Sequence, residues 1–339
     1  MRAAQYSGEH RIVVNEVQAP APASGEVQIR VAYTGICGTD LHVLHGSMDA
    51  RVDVPQAIGH EMSGTVESVG DGVTAFAAGD KVTVMPLDWC GTCPACKAGN
   101  SHICQNLNFV GIDSPGSLQE LWNVREDLVV PLPASLSLEH AALVEPLAVA
   151  CHDVSRSRLT EGETAVVIGG GPIGQLIALV AAATGATVYV IEPNPERRAL
   201  AERLGARTID PTTSDAVAII EEATGSAGAD VVFEVAGVAV TALTAVDYAK
   251  VRGRVVLVAI HPNPVPINLH RVFWRELELL GARVYVRADF ERAIELLASG
   301  AVPADDLITS VVGLSETQSA FDQLSGAAAM KILVNVQEG

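Results

Sequence analysis

Up to about residue 135 the chain alternates apolar and polar positions in short runs. Val27-Gln28-Ile29-Arg30-Val31 puts every second side chain on one face, the pattern of a half-buried strand. Thr65-Val66-Glu67-Ser68-Val69 and Lys81-Val82-Thr83-Val84-Met85 repeat it. Turn-forming residues at 19–22, 70–72 and 79–80 break these runs at close intervals. The pattern predicts a β-rich, barrel-like region with long loops.

Near residue 136 the period changes. Residues 137–150 have helical spacing, and from 164 onward short β-branched runs alternate with helical ones. Strands are expected at 165–168, 188–191, 208–209, 231–235 and 255–260, with a sixth at 277–280. Helices are expected at 172–184, 195–204, 214–223 and 239–250. Such alternation predicts an α/β fold with a doubly wound parallel sheet, the Rossmann arrangement. After residue 286 the texture is mixed again, with a helix near 289–299 and a last strand at 332–336. The expected division is therefore a β-rich domain from 1–150 and 286–339, and a doubly wound domain from 151–285.

Residues 165–191 carry no charge, a run long enough to span a bilayer. Gly169-Gly170-Gly171-Pro172 interrupts it, and β-branched residues flank a helical middle, so a buried strand–turn–helix–strand is expected instead. Charge enters the picture only as an exclusion. A formal net charge of −18 argues against nucleic acid or an anionic membrane as partner. No secretory segment is legible at the start, where Glu9, His10 and Arg11 precede any apolar core, so a cytoplasmic protein is expected. In such a chain the six cysteines point to metal rather than disulfides.

Four of them form Cys90-x2-Cys93-x2-Cys96-x7-Cys104. Four thiolates at this spacing close a tetrahedral shell with no open position, the mark of a structural zinc. The bacterial iron–sulfur pattern differs, with three residues before a fourth cysteine that a proline follows; here seven intervene and Gln105 follows. Cys151 has no sequence neighbour of this kind and reads as a small buried residue.

A second metal centre is suggested by Cys37, by His60 within Gly59-His60-Glu61-Met62-Ser63-Gly64, and by a carboxylate. Three protein ligands with an open fourth position are what catalytic zinc uses. Glu61 would be costly to bury without a cation. A metal site and an ordinary buried Cys and His both remain open on these residues alone.

Gly169-x-Gly171-x-x-Gly174 follows the apolar run 165–168 and opens a helical stretch through Pro172 and Ile173. In that context the three glycines serve a tight turn, close approach of backbone to a pyrophosphate, and close helix–strand packing. Glu192 ends the next strand, 18 residues after Gly174. A carboxylate there binds ribose hydroxyls and repels a 2′-phosphate, which favours NAD over NADP. Arg197 and Arg198 are near enough to bear on that choice, since an arginine can accept a phosphate.

Taken together, Gly59-His60-Glu61-x-x-Gly64, Gly70, Cys37-Gly38-Thr39-Asp40-Leu41-His42, the four-cysteine run and the glycine motif resemble the zinc-dependent medium-chain dehydrogenase/reductase family over essentially the whole chain. The resemblance implies that the β-rich domain is GroES-like and catalytic. It implies hydride transfer from a secondary alcohol to NAD, giving a ketone, with a catalytic and a structural zinc in each chain. Val144-Glu145-Pro146 has glutamate where the best-known alcohol dehydrogenases have cysteine, which is similar to the branch of sorbitol, butanediol and threonine dehydrogenases. In that branch Glu61 or Glu145 would bind the catalytic zinc beside Cys37 and His60. The resemblance assigns Thr39 and His42 to a proton relay, and implies a homodimer or homotetramer. A diol, polyol, sugar or related hydroxyl compound is the expected substrate, a threonine 3-dehydrogenase-type activity the alternative. A non-enzymatic protein on this scaffold has no support from the sequence, and a zinc-free quinone or enoyl reductase would lack the cysteines and His60.

Overall fold

The computed structural model describes residues 1–261, 263–326 and 329–338. The chain divides into two compact units, Met1–Glu145 with Val286–Gly339, and Pro146–Tyr285. The break falls at 145/146 rather than at 150/151, near the start of a helix that runs through both positions.

The first unit begins with strands β1 (Arg2–Tyr6), β2 (Ile12–Glu16) and β3 (Glu26–Gly35). Helix α1 (Gly38–Leu44) interrupts them, and β4 (Gln56–Ala57), β5 (Glu61–Val69) and β6 (Lys81–Val84) follow. A loop excursion carries β7 (Leu87–Asp88), α2 (Pro94–Lys97) and β8 (Asn108–Phe109). Strands β9 (Leu121–Arg125) and β10 (Val129–Pro131) precede α3 (Leu138–Ala141) and α4 (Val144–Ser157).

The second unit alternates as its sequence period predicts. It runs β11 (Thr164–Ile168), α5 (Pro172–Ala182), β12 (Thr187–Ile191), α6 (Pro195–Arg203) and β13 (Arg207–Ile209). Then come α7 (Ala216–Ala223), β14 (Ala229–Glu234), α8 (Ala239–Tyr248), β15 (Ala249–Leu257), α9 (Leu269–Trp274) and β16 (Glu278–Gly281). All six strands are parallel, in the order β13-β12-β11-β14-β15-β16. That is the doubly wound order, whose reversal lies between β11 and β14. Val166, Val167 and Val232 are fully buried because helices cover both faces of such a sheet. β15 starts earlier and stops earlier than the 255–260 run suggests.

The chain then returns to the first unit with α10 (Arg287–Ala298), α11 (Ala304–Leu307), β17 (Ile308–Gly313), α12 (Thr317–Ser325) and β18 (Lys331–Asn335). There the main sheet has the order β10-β6-β5-β3-β18-β17, with β9 also paired to β3. The last strand therefore joins the middle of the first unit's sheet. In β3, Val27, Ile29 and Val31 are buried and Arg30 is exposed, but Gln28, on the polar face of the alternation, is buried too, its amide donating to the Pro20 carbonyl and Asn123.

Candidate metal centre and cofactor site

Three neighbouring strands bring the first site together. Gly35 at the end of β3 pairs with Glu61 on β5 and with Leu333 on β18. Just past β3, Cys37 is the N-cap of α1, and its sulfur accepts the Thr39 N–H at 3.5 Å. Asp40 returns the cap: its Oδ2 accepts the Cys37 N–H at 2.9 Å. Gly59, at φ +99°, turns the chain before β5 so that His60 and Glu61 enter the interior.

Cys37, His60 and Glu61 thereby place one ligand atom each within 4.8 Å of one another. His60 and Glu61 are buried. His60 Nδ1 faces Asp40 Oδ1 at 3.4 Å without a hydrogen bond between them, the place an outer carboxylate takes behind a ligating imidazole. Burial opposes the charged imidazole, but the Asp40 carboxylate and the Cys37 sulfur hold the His60 proton well above the usual histidine range. Glu61 Oε1 is buried without a hydrogen-bond partner. A compact S, N, O donor set with an orphaned carboxylate oxygen fits zinc, whose bonds to these atoms run about 2.0–2.3 Å.

The cation that a buried Glu61 demands is met in part by the chain itself. Lys331, buried at the start of β18, lies with Nζ 2.5 Å from Glu61 Oε2 and 3.2 Å from the Ile36 carbonyl oxygen. Burial opposes its charge, but Glu61 and then Cys37 and Glu145 raise its proton affinity above that of an ordinary lysine. Glu145 is buried at the start of α4, yet its carboxylate is not among the atoms gathered within 4.8 Å. Thr39 is half-buried and His42 exposed, one helical turn apart on α1.

Two loops flank this centre. Phe109 packs its ring edge-on to His60, with centroids 5.1 Å apart. Asp113 accepts the Phe109 N–H and receives Arg51 through both carboxylate oxygens at 2.8 Å, which ties the 109–118 loop to the 43–55 loop. Tyr6 anchors the latter through a 2.8 Å hydrogen bond to Asp49.

Cys90, Cys93, Cys96 and Cys104 form a second donor group around α2, with ligand atoms likewise within 4.8 Å. The Cys93 and Cys96 N–H groups donate to the sulfurs of Cys90 and Cys93 at 3.4 and 3.5 Å. Hydrogen bonds from Thr92 and the Cys93 N–H draw the Cys90 thiol down to about 5. Burial and the neighbouring sulfurs push Cys96 up to about 11. Sulfur-only, closed and local, the group fits a structural zinc.

In the second unit Gly169 follows β11 at φ +104°, and a side chain on it would press on the Ala236 backbone at 3.1 Å. A side chain on Gly174 would collide with the Gly169 carbonyl oxygen, whereas the position above Gly171 is open. Gly171 caps α5, with Pro172 as its first residue and Ile173 next. These are the three roles a pyrophosphate cradle needs. Glu192, buried at the end of β12, accepts the Gly170 N–H at 2.7 Å and the Asn194 N–H at 2.8 Å. Arg198 is taken up by the Glu192 and Pro193 carbonyls and by Asp210 at 2.9 Å. Arg197 meets the site through its backbone, its carbonyl accepting from Gln175, which also bonds the Gly170 carbonyl.

Sequence reasoning missed several participants. Asp40 was legible only as part of the Cys37 segment, Gln175 only as a helix residue, and Lys331 not at all. Glu234, fully buried at the end of β14, accepts from the Gly237 N–H and Thr241 and lies 3.1 Å from His261 Nε2. A carboxylate ending a strand beside the glycine turn was the available signal for Glu234.

The family model described as alcohol dehydrogenase GroES-like domain matches residues 23–134, and that described as zinc-binding dehydrogenase matches 172–299. The chain is 54% identical over 335 residues to 2-dehydro-3-deoxy-L-galactonate 5-dehydrogenase of Pseudoalteromonas atlantica, covering 98% of each. It is 36% identical over 329 residues to (R,R)-butanediol dehydrogenase of Bacillus subtilis, covering 93% of each. A Sinorhizobium meliloti protein described as a zinc-binding dehydrogenase and solved with NADP superposes with a TM-score of 0.93 at 35% identity, over 98% of each chain. The chain thus belongs to the zinc-dependent medium-chain dehydrogenase/reductase family, in its polyol dehydrogenase branch, and is an oxidoreductase that acts on a secondary alcohol with zinc and a nicotinamide cofactor.

Proposed function

We propose that this enzyme oxidises a secondary hydroxyl of a 2-dehydro-3-deoxy sugar acid, of the 2-dehydro-3-deoxy-L-galactonate type, to a ketone with NAD. One observation carries the substrate class: identity of 54% across 98% of both chains, against 36% for a diol enzyme of the same fold. A neutral vicinal diol is the second reading, favoured by that butanediol relative.

Cys37, His60 and a glutamate, Glu61 or Glu145, would hold the catalytic zinc, which supplies Lewis acidity toward the alcohol oxygen while the nicotinamide accepts hydride. In this reading Glu61, whose Oε1 has no hydrogen-bond partner, fills the third place and leaves one position for water or substrate. Asp40 orients His60. Thr39 Oγ1 would accept the hydroxyl proton while passing its own on through the cofactor ribose, and His42, exposed on the same turn of α1, would deliver it to solvent. Cys90, Cys93, Cys96 and Cys104 would hold a second, structural zinc. Gly169, Gly171, Pro172, Ile173 and Gly174 would receive the pyrophosphate. Glu192 would select NAD, a choice supported by the engagement of Arg198 elsewhere.

A homodimer or homotetramer is part of the same reading. Leu269, Phe273 and Trp274 expose 69%, 74% and 68% of their surface on α9, which leads into β16, the outer strand of its sheet. Apolar surface of that size beside an unpaired strand edge suits a second copy. A cytoplasmic place is part of the same reading, and among the described residues no helix is long and apolar enough to cross a membrane.

Initial rates with 2-dehydro-3-deoxy-L-galactonate, (R,R)-2,3-butanediol, sorbitol and threonine, each with NAD and with NADP, test the proposal. The sugar acid with NAD should exceed the neutral diols in kcat/KM by roughly 100-fold, since a site that bonds many polar groups rejects substrates lacking them. A diol or polyol turned over as well as the acid would replace this substrate class with the second reading.

A further inference from the structure

Lys331 begins the last strand, 270 residues from Glu61, and is buried against it. Its ammonium donates to two groups that bear on the metal ligands: Glu61 Oε2, and the carbonyl of Ile36, the residue before Cys37. The strands make this possible. β18 and β5 both pair with β3, so Lys331, Ile36 and Glu61 meet at one end of three adjacent strands. A side chain on Gly35 would collide with Glu61 Oε2, so bare backbone at that position is needed for Glu61 to hold this orientation. With Oε2 engaged, the orphaned Oε1 is the oxygen left for a ligand. Glu145 is close enough for Lys331 to feel its charge but lies outside the gathered donor set.

We propose that Lys331 is a positioning residue that decides which carboxylate completes the Cys37–His60 site: by clamping Glu61 through Oε2 it presents Oε1 to the metal and keeps Glu145 out of that place. This rests on the reading of Cys37, His60 and Glu61 as the catalytic zinc site. Without the clamp Glu61 is free to turn away, and Glu145 becomes the ligand. Arginine in place of Lys331 keeps the charge and the hydrogen bond; methionine keeps the length and loses both.

The experiment uses the full-length enzyme with zinc, and separately with cobalt in the catalytic site. Metal release to a chelator and the visible cobalt spectrum are followed for wild type, Lys331→Met and Lys331→Arg. Catalytic metal should leave Lys331→Met about 10–100-fold faster, the range for loss of a residue supporting a ligand. Its cobalt spectrum should change, and Lys331→Arg should resemble wild type. Release from the four-cysteine lobe should not move. Glu145→Gln should alter the spectrum far more in the Lys331→Met background than in wild type. In a Glu61→Gln background, Lys331→Met should add nothing, because the clamp has lost its object. That pair decides the matter even if the single Lys331→Met variant does not fold, since it removes both charges together. Wild-type release and spectrum in Lys331→Met, or a Lys331 effect that persists without Glu61, overturns the proposal. A wild-type enzyme that takes up metal only at the four cysteines overturns the site reading itself, and the clamp with it.

Discussion

The two sulfur-bearing centres of the first unit are built from opposite materials. One gathers four cysteines from residues 90–104 around a four-residue helix, with backbone N–H groups donating to the sulfurs. The other gathers one sulfur, one imidazole and one carboxylate at the ends of two paired strands, with Asp40 and Lys331 behind them. A set of thiolates that fills its own shell can hold a loop in shape but leaves no place for a substrate. A mixed set with a spare carboxylate leaves such a place, and needs a buried cation and an orienting acid to keep it in order. In the proposed reading the difference separates holding from reacting within one domain.

The sharpest way to break that comparison is Cys37→Ser. Loss of Lewis-acid assistance worth several kcal/mol should lower kcat/KM by roughly 10³-fold or more, with the far-ultraviolet circular dichroism unchanged. An active, zinc-depleted Cys37→Ser enzyme would mean the mixed site is not the reacting one.

Cys93→Ala should do the reverse. One zinc per chain should be lost and the melting temperature should fall by about 5–10 °C, at about 2–4 °C per kcal/mol, while turnover per remaining zinc stays within about threefold. Normal stability and zinc content would sink the structural role. Reloading the stripped lobe at pH 7 should also release protons, because burial holds the Cys96 thiol protonated up to about 11 before metal arrives. Zinc affinity there should therefore weaken as pH falls, and a chelator titration at several pH values reads it.

Glu192→Ala tests the unit that carries neither centre. If Glu192 bonds the ribose as proposed, its removal should raise the NADP-to-NAD ratio of kcat/KM by about tenfold or more, the equivalent of one charged hydrogen bond. An unchanged ratio would leave Arg197 or the backbone as selector.

The smallest effect belongs to Tyr6→Phe, which cuts the tie between β1 and the 43–55 loop. It should cost about 1 kcal/mol of unfolding free energy in denaturant titrations. Burial and the bond to Asp49 push the Tyr6 phenol up to about 12, from 10.0. A raised pKa means the contribution is complete below pH 10 and is lost as pH rises toward 12. The gap between wild type and Tyr6→Phe should close over that window.

Local chemistry was legible in the amino-acid order alone. The alternation of β3, the change of period near residue 136, the Cys90–Cys104 spacing and the glycine turn after β11 each depend on residues within a few turns of chain, so local geometry fixes their meaning. The pairing of β18 with β3 depends on the whole first unit and has no local signature. The expected last strand begins at Ile332, one residue short of Lys331, and Glu61 by itself points to a metal rather than to a distant lysine. Glu61 and Glu145 were equivalent candidates by residue type, because a carboxylate's identity says nothing about its distance from Cys37. Sequence determined that a sulfur, an imidazole and a carboxylate were available. Only the tertiary structure decided which carboxylate stands with them and which lysine holds it, because partners 270 residues apart meet only when the sheet closes.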